Sequence, residues 1–80
     1  MDRNAILDRL TPICRDVFED DTLVITEETS ADDIEIWDSL MHLTLISEIE
    51  AAFGISLSLE ETEKKEICAL VDAIAAHLSD

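Results

Sequence analysis

The residues Asp38-Ser39-Leu40 place an acid and a hydroxyl where a loop is predicted to become a helix. An acidic, turn-rich segment, residues 27–35, comes before them. Apolar residues at helical spacing follow them, namely Leu45, Ile46, Ile49 and Phe53. Asp is a favoured N-cap because its carboxylate accepts hydrogen bonds from the free N–H groups of the first turn. The hydroxyl of Ser39 would then lie beside the positive end of the helix dipole, where a phosphate is well placed.

Ser39 has two other interpretations besides a site that bears a phosphate. A Ser near a helix start is commonly an ordinary helical residue without chemistry. A hydrolase would need a base, and His42, three residues on, is the only near candidate. An oxyanion hole and a shaped pocket are hard to build in 80 residues that contain one Gly. We therefore expect no catalytic residues and no enzyme.

The motif resembles the modification site of acyl carrier proteins, in which the Ser of Asp-Ser-Leu receives 4′-phosphopantetheine through a phosphodiester link. The thiol of that arm carries acyl groups as thioesters. The resemblance continues through Phe53-Gly54, the acidic segment 60–64 and the last amphipathic helix. It implies one acyl carrier domain over residues 1–80, with 4′-phosphopantetheine on Ser39, Asp38 capping the helix and orienting Ser39, and Leu40 completing the motif.

The same resemblance implies the partners. A phosphopantetheinyl transferase would attach the arm from coenzyme A, and basic-surfaced acyl-transfer or acyl-activating enzymes would use the loaded carrier. Fatty-acid carriers place several acids along the exposed face of the second helix, whereas this chain has Met41 and Thr44 there and keeps Glu48. Trp37 stands where many members have a small residue, a feature more typical of free-standing carriers of specialised pathways. We predict that partners dock on Trp37, Met41, Thr44 and Glu48. The alternatives are that Met41 only covers its neighbours and that Trp37 is buried under the loop.

The cargo is open at this point. It could be an acyl intermediate of fatty-acid, polyketide or other specialised biosynthesis. Peptidyl and aminoacyl carriers more often show Gly-Gly-(His or Asp)-Ser-Leu, so that cargo ranks second. A third hypothesis, from a different class, is an unmodified acidic adaptor that binds basic proteins electrostatically. Replacing Ser39 by Ala would abolish carrier function and leave an adaptor unchanged.

The composition predicts an all-α protein. Eighty residues make one small domain, and an apolar fraction of 48% is enough for a folded core. One Gly and one Pro leave little turn chemistry for β structure. Together with the apolar spacing, this predicts a small four-helix bundle with a long first loop and a short third helix.

The charge restricts the partners. Twenty acids against five bases give a formal charge of −15, which disfavours nucleic acid and anionic membranes. Partners should present Arg and Lys, although such a charge can also serve solubility alone. No signal peptide or transmembrane stretch is present in the sequence given, so we expect a cytoplasmic monomer. Cys14 and Cys68 should be small buried core residues, and no metal site is expected, because the calcium-loop pattern is absent.

The first helix should run over residues 4–18, because Ile6, Leu10, Ile13 and Val17 repeat at helical spacing. Pro12 permits two solutions: a helix that starts there after a Thr11 cap, or one kinked helix. The continuous apolar stripe favours the kinked helix. The connection 19–36 should be held down by its apolar anchors, which are Leu23, Ile25 and Ile34.

The second helix should run over residues 39–53 and end at Gly54. We expect an inward face of Leu43, Ile46, Ile49, Ala52 and Phe53. Met41, His42 and Thr44 should lie nearer the outside.

The C-terminal part should contain two helices. Ile55, Leu57 and Leu59 should seal one end of the core as an extended connector, residues 60–64 should form the short third helix, and residues 67–78 the last one. His77 should be solvated. The resemblance further implies an acyl-binding space between the second and third helices, lined by Leu43, Ile46, Leu59 and Ile67.

Overall fold

Three helices make up the frame of the computed structural model, which describes residues 2–78. They are α1 (Arg3–Val17), α2 (Ser39–Phe53) and α3 (Ile67–Leu78). Within the described residues there is no strand, only an isolated bridge between Ser30 and Glu66. The all-α prediction is therefore confirmed, whereas the count of four helices is not confirmed, because residues 60–64 are not helical.

Helix α1 begins at the N-cap Asp2, whose carboxylate accepts a hydrogen bond from the Ala5 N–H at 2.8 Å. It continues through Pro12, so the alternative of a helix starting there is wrong. The stripe that predicted this continuity is buried, with Cys14 in place of Ile13: its members are Ile6, Leu10, Cys14 and Val17. Burial raises the pKa of the Cys14 thiol to about 12. Burial of this stripe thus outweighs the cost of Pro12, which lacks a backbone N–H and clashes with the preceding turn of the helix.

Helix α2 has the predicted bounds, and Gly54 ends it in the left-handed conformation at φ 66°. Its inward face differs from the prediction: His42, Leu45, Ile46 and Ile49 are buried. Leu43 and Ala52 were expected inside but are exposed, Leu43 to 61%. The first half of α2 carries apolar residues on nearly all sides, so periodicity alone could not select the face.

Residues 59–62 form a turn where the short third helix was predicted. Ser58 and Glu61 exchange hydrogen bonds as in a helix-capping box: the Ser58 N–H donates to the Glu61 carboxylate at 3.0 Å, and the Glu61 N–H donates to the Ser58 hydroxyl at 3.2 Å. A helix does not propagate from it, because nucleation is unfavourable and residues 60, 61 and 63 are all acids.

His77 holds this turn against α3. Its Nε2 lies 2.9 Å from the Glu61 carboxylate, so the prediction of a solvated His77 is wrong. Leu59, expected to seal the core, is 83% exposed, because the turn directs it outward. Ile55 and Leu57 do pack against the core, and the Leu57 N–H donates to the Glu50 carboxylate at 2.7 Å.

The long connection between α1 and α2 lies close to the core. Ile25 and Ile34 are buried and Leu23 is half-buried, which confirms the predicted anchors. Its backbone also pairs with the segment before α3: the Ala31 N–H donates to the Lys65 carbonyl, and the Ile67 N–H donates to the Thr29 carbonyl, both at 2.9 Å. The loop that leads to Ser39 is therefore fixed at both ends and in its middle.

All three arginines lie on α1, and each connects it to another segment. Arg3 pairs with Glu27 of the loop and with Asp72 of α3. Arg9 donates to the Ala52 carbonyl at 3.0 Å and stacks 4.6 Å from the Phe53 ring, and Arg15 donates to the Leu23 carbonyl at 2.7 Å.

Cys68 is half-buried rather than a core residue. Its sulfur lies 3.7 Å from Arg3 at the edge of α3. The prediction that both cysteines belong to the core is therefore right for Cys14 and wrong for Cys68. Within residues 2–78, no helix has the length and apolar character that crossing a bilayer requires.

Salt should stabilise this fold. The radius of gyration is 11.4 Å, close to the Debye length of about 10 Å at 0.1 M salt, so added ions screen repulsion across the whole molecule. We expect the thermal midpoint to rise with sodium chloride by a few degrees, since about 1 kcal/mol shifts the midpoint of such a domain by roughly 4–8 °C. Circular dichroism melts measure it. A midpoint that stays flat or falls would contradict this expectation. It would show that salt weakens the contacts of the three arginines at least as much as it relieves the repulsion among the acids.

Glu61 should make stability depend on acid pH. The hydrogen bond from the Ser58 N–H and the contact with His77 lower the pKa of Glu61 below its ordinary value. A lowered pKa stabilises the fold above the unfolded-state pKa, about 4.3 for Glu, and that contribution is lost as the pH falls through the folded value. Glu61→Gln should therefore melt below the wild type near pH 6, and the two curves should converge in acid. Glu63→Gln, at an exposed neighbour, is the matched control. A gap that persists in acid would contradict the assignment.

Candidate functional site

Ser39 is the first residue of α2, and its side chain is exposed. Asp38 precedes it with extended backbone angles, and its carboxylate accepts a hydrogen bond from the Met41 N–H at 2.9 Å. The Asp38 carbonyl accepts from the His42 N–H at 2.9 Å, which closes the first turn. The predicted cap is confirmed, and it fixes the Ser39 hydroxyl at the positive end of α2.

Three exposed large apolar residues lie within four positions of Ser39 in the chain. Leu40 is 71% exposed, and Ile36 and Leu43 are also exposed. Single exposed residues of this size are normal, but three so near a candidate site offer apolar area that another molecule can cover. We call Ile36, Leu40 and Leu43 the apolar patch.

Trp37 does not belong to the patch, because its side chain is only 3% exposed. Its ring packs against Phe18 with centroids 5.6 Å apart. Its indole N–H donates to His42 Nδ1 at 3.0 Å. This burial agrees with the alternative that Trp37 lies under the loop, because a large ring with one donor finds both apolar contact and a partner inside. Its role is to anchor the chain directly before Asp38.

His42 is buried and uses both ring nitrogens. Nδ1 accepts from Trp37, so it carries no proton, and Nε2 donates to the backbone carbonyl of Thr62. No acceptor is left for a proton from Ser39, and the Ser–His pair of a hydrolase is not formed. The sequence contains no local signal for this role, because the third partner, Thr62, is twenty residues away.

A surface groove opens beside Ser39, between α2 and the turn 59–62. Its volume is about 410 Å³, within the range of small-molecule sites. Leu43 and Leu59 give it apolar walls, while Glu60, Glu63 and Lys65 give it a charged rim. Of the residues predicted to line an acyl-binding space, Leu43 and Leu59 line this groove, and Ile46 and Ile67 lie in the buried core.

The remaining predicted docking residues differ in exposure. Thr44 and Glu48 are exposed on α2, with the Thr44 hydroxyl donating to the Leu40 carbonyl at 3.2 Å. Met41 is half-buried and packs against the core, so part of its side chain is unavailable to a partner. From Ser39 to residue 47 the helix contains no acid.

Metal ligands are not grouped here or elsewhere in the described part of the chain. Among residues 2–78, no three His, Cys, Asp or Glu side chains come together in a way that could hold an ion.

Comparisons with known proteins agree with this geometry. Residues 8–78 match the family model described as the phosphopantetheine attachment site. The solution NMR structure of a holo acyl carrier protein from Geobacter metallireducens is similar, with 46% identity and a TM-score of 0.84 over 91% of this chain and 85% of that one. A search of curated proteins found no match. The chain therefore belongs to the acyl carrier protein family, bears a covalent 4′-phosphopantetheine and acts as a carrier, not as an enzyme.

Proposed function

We propose that Ser39 is the residue that bears the arm. The observation that supports it is an exposed hydroxyl on the first residue of α2, capped by Asp38 and opening onto a groove. A phosphopantetheinyl transferase would direct the Ser39 oxygen onto the phosphorus of coenzyme A that carries the arm. The new Ser–O–P bond replaces the pyrophosphate bond, adenosine 3′,5′-bisphosphate leaves, and the hydroxyl proton passes to solvent. The positive end of α2 favours the phosphodiester anion that results, in a chain whose formal charge is −15.

The arm and the protein then divide the work. The thiol of the arm forms the thioester and moves the acyl group between partner enzymes. The protein supplies the surface that those enzymes recognise and a groove in which the arm can rest. Leu43 and Leu59 offer apolar contact to the arm or to its cargo, and both are already exposed to solvent, so burying them is favourable.

Attachment at Ser39 is tested by Ser39→Ala, with Ser47→Ala as the control on an exposed residue of the same helix. Incubation with coenzyme A and a broad-specificity transferase should add the mass of one phosphopantetheine group to the wild type and to Ser47→Ala, and none to Ser39→Ala. Intact-mass and peptide analysis measure it. An arm on another residue, or modification of Ser39→Ala, would overturn the assignment.

We further propose that this carrier serves a dedicated biosynthetic pathway as a cytoplasmic monomer, with acyl rather than aminoacyl cargo. Partners would cover the apolar patch and meet a ring of acids that includes Asp32, Asp33 and Glu35, all exposed. A desolvated apolar centre supplies affinity, and the charged rim steers approach. Enzymes of general fatty-acid synthesis that read acids along α2 would find none between residues 39 and 47.

A negative charge can be placed on the exposed face of α2, where general fatty-acid carriers have acids, at one position. Met41 packs against the core, so only Thr44, which is exposed, is changed. Thr44→Glu should raise the rate of malonyl loading by a general fatty-acid malonyl transferase by up to about tenfold at low salt, and the gain should vanish at high salt. Helix α2 has 15 residues and is therefore about 22 Å long. Ser56→Glu adds the same charge at an exposed position after the end of α2 that is far from Ser39, and it should have little effect.

The wild-type rate decides the proposal of a dedicated pathway. A wild type that is already as good a substrate as a general fatty-acid carrier would contradict it. Equal gains from both glutamates would instead assign the effect to net charge and not to the docking face.

A further inference from the structure

A chain of two hydrogen bonds runs beside the groove, and two of its three residues, His42 and Thr62, line the groove. The Trp37 indole donates to His42, and His42 donates to the carbonyl of Thr62. All three residues are buried, at 3%, 8% and 6% exposure. The chain thus joins the segment before Ser39, the first turn of α2 and the turn 59–62.

This chain lies between the site and the core. His42 is one turn beyond Ser39 on α2, and it lines the groove while remaining buried. Ile46 follows one turn later on α2, and both Ile46 and Ile67 belong to the buried core. An acyl chain that starts at the end of the arm and enters the core from the groove would have to pass between α2 and the turn 59–62, where His42 and Thr62 are bonded.

Opening that path would leave polar groups unpaired. The indole N–H, the imidazole and the Thr62 carbonyl have their partners within the chain, and no buried side-chain nitrogen or oxygen of the described residues lacks one. An acyl chain offers no hydrogen bond in exchange, so its entry would leave these groups without hydrogen-bond partners in an apolar interior. The groove itself needs no such opening, because Leu43 and Leu59 are already accessible and the rim is charged.

We infer that the Trp37–His42–Thr62 chain is a specificity determinant: it keeps the cargo outside the core, so that the carrier suits short or polar acyl groups whose thioester stays accessible. Long aliphatic chains would remain on the surface. This inference rests on the proposed attachment of the arm to Ser39.

Thioester accessibility tests the inference. Holo protein is loaded with acetyl or octanoyl groups, and cleavage by hydroxylamine is measured against acetyl- and octanoyl-pantetheine free in solution. In the wild type both protein thioesters should react as the free references do. In His42→Leu, which replaces the bonded ring by an apolar side chain, octanoyl cleavage should fall about tenfold, as expected if nine-tenths of the octanoyl chain is sheltered at equilibrium. Acetyl cleavage should not change.

His77→Gln is the matched control, because His77 holds the same turn from α3 and does not line the groove. It should leave both rates unchanged. A second measurement does not depend on a variant: amide shifts between acetyl and octanoyl forms of the wild type should be confined to groove residues and absent at Ile49 and Ile74, which are fully buried. Slow octanoyl cleavage in the wild type, or shifts at those two core residues, would overturn the inference.

Peptide mass analysis of the same samples separates the two proposals. An arm found elsewhere than Ser39 overturns the attachment and this inference with it. An arm on Ser39 together with a sheltered octanoyl group in the wild type overturns this inference alone.

Discussion

The pairing of His42 with Trp37 and with the Thr62 carbonyl is the interaction on which the site depends. It is the contact that brings three separate segments to one point beneath Ser39. Without it, Trp37 would leave a donor unpaired inside, and the turn 59–62 would lose its connection to α2. The pairing also fixes the imidazole as the neutral tautomer with its proton on Nε2, because the indole can only donate.

Charge is the second constraint on this fold. With five bases for twenty acids, the chain cannot distribute ion pairs over its surface. The arginines are instead concentrated on α1: Arg3 reaches the long loop and α3, Arg9 reaches the end of α2, and Arg15 reaches the same loop as Arg3. Two of the three donate to backbone carbonyls, so they satisfy polar groups as well as offsetting charge.

Much of the frame could be predicted from the sequence. The apolar stripe of α1 carried the helix through Pro12, and Asp38 and Gly54 marked both ends of α2, because caps are local signals. The position of Ser39 as the first residue of α2 was predictable for the same reason. The face of α2 was not, since its first half is apolar almost all round and only tertiary contacts select which side is buried.

The errors at the two histidines share one cause. His42 and His77 were assigned to the surface, and each is instead held by a residue distant in sequence, His42 by Thr62 and His77 by Glu61. Residues 60–64 looked helical because their ends suit the helix dipole, yet a capping box alone does not extend a helix against adjacent like charges. Long-range pairing of polar side chains leaves no periodic trace, so a single sequence could not reveal it.

The turn 59–62 differs from the three helices in how its backbone is held. It lacks the repeated backbone hydrogen bonds of a helix, and a few hydrogen bonds that involve side chains hold it to α2, to α3 and to Ser58. Its amides should therefore exchange with solvent hydrogen through a local opening whose free energy is below that of unfolding the whole domain, whereas those at the middle of the three helices should exchange only when the whole domain unfolds. We expect the charged rim of the groove to open in this way while the core behind it, closed off by the Trp37–His42–Thr62 chain, stays packed.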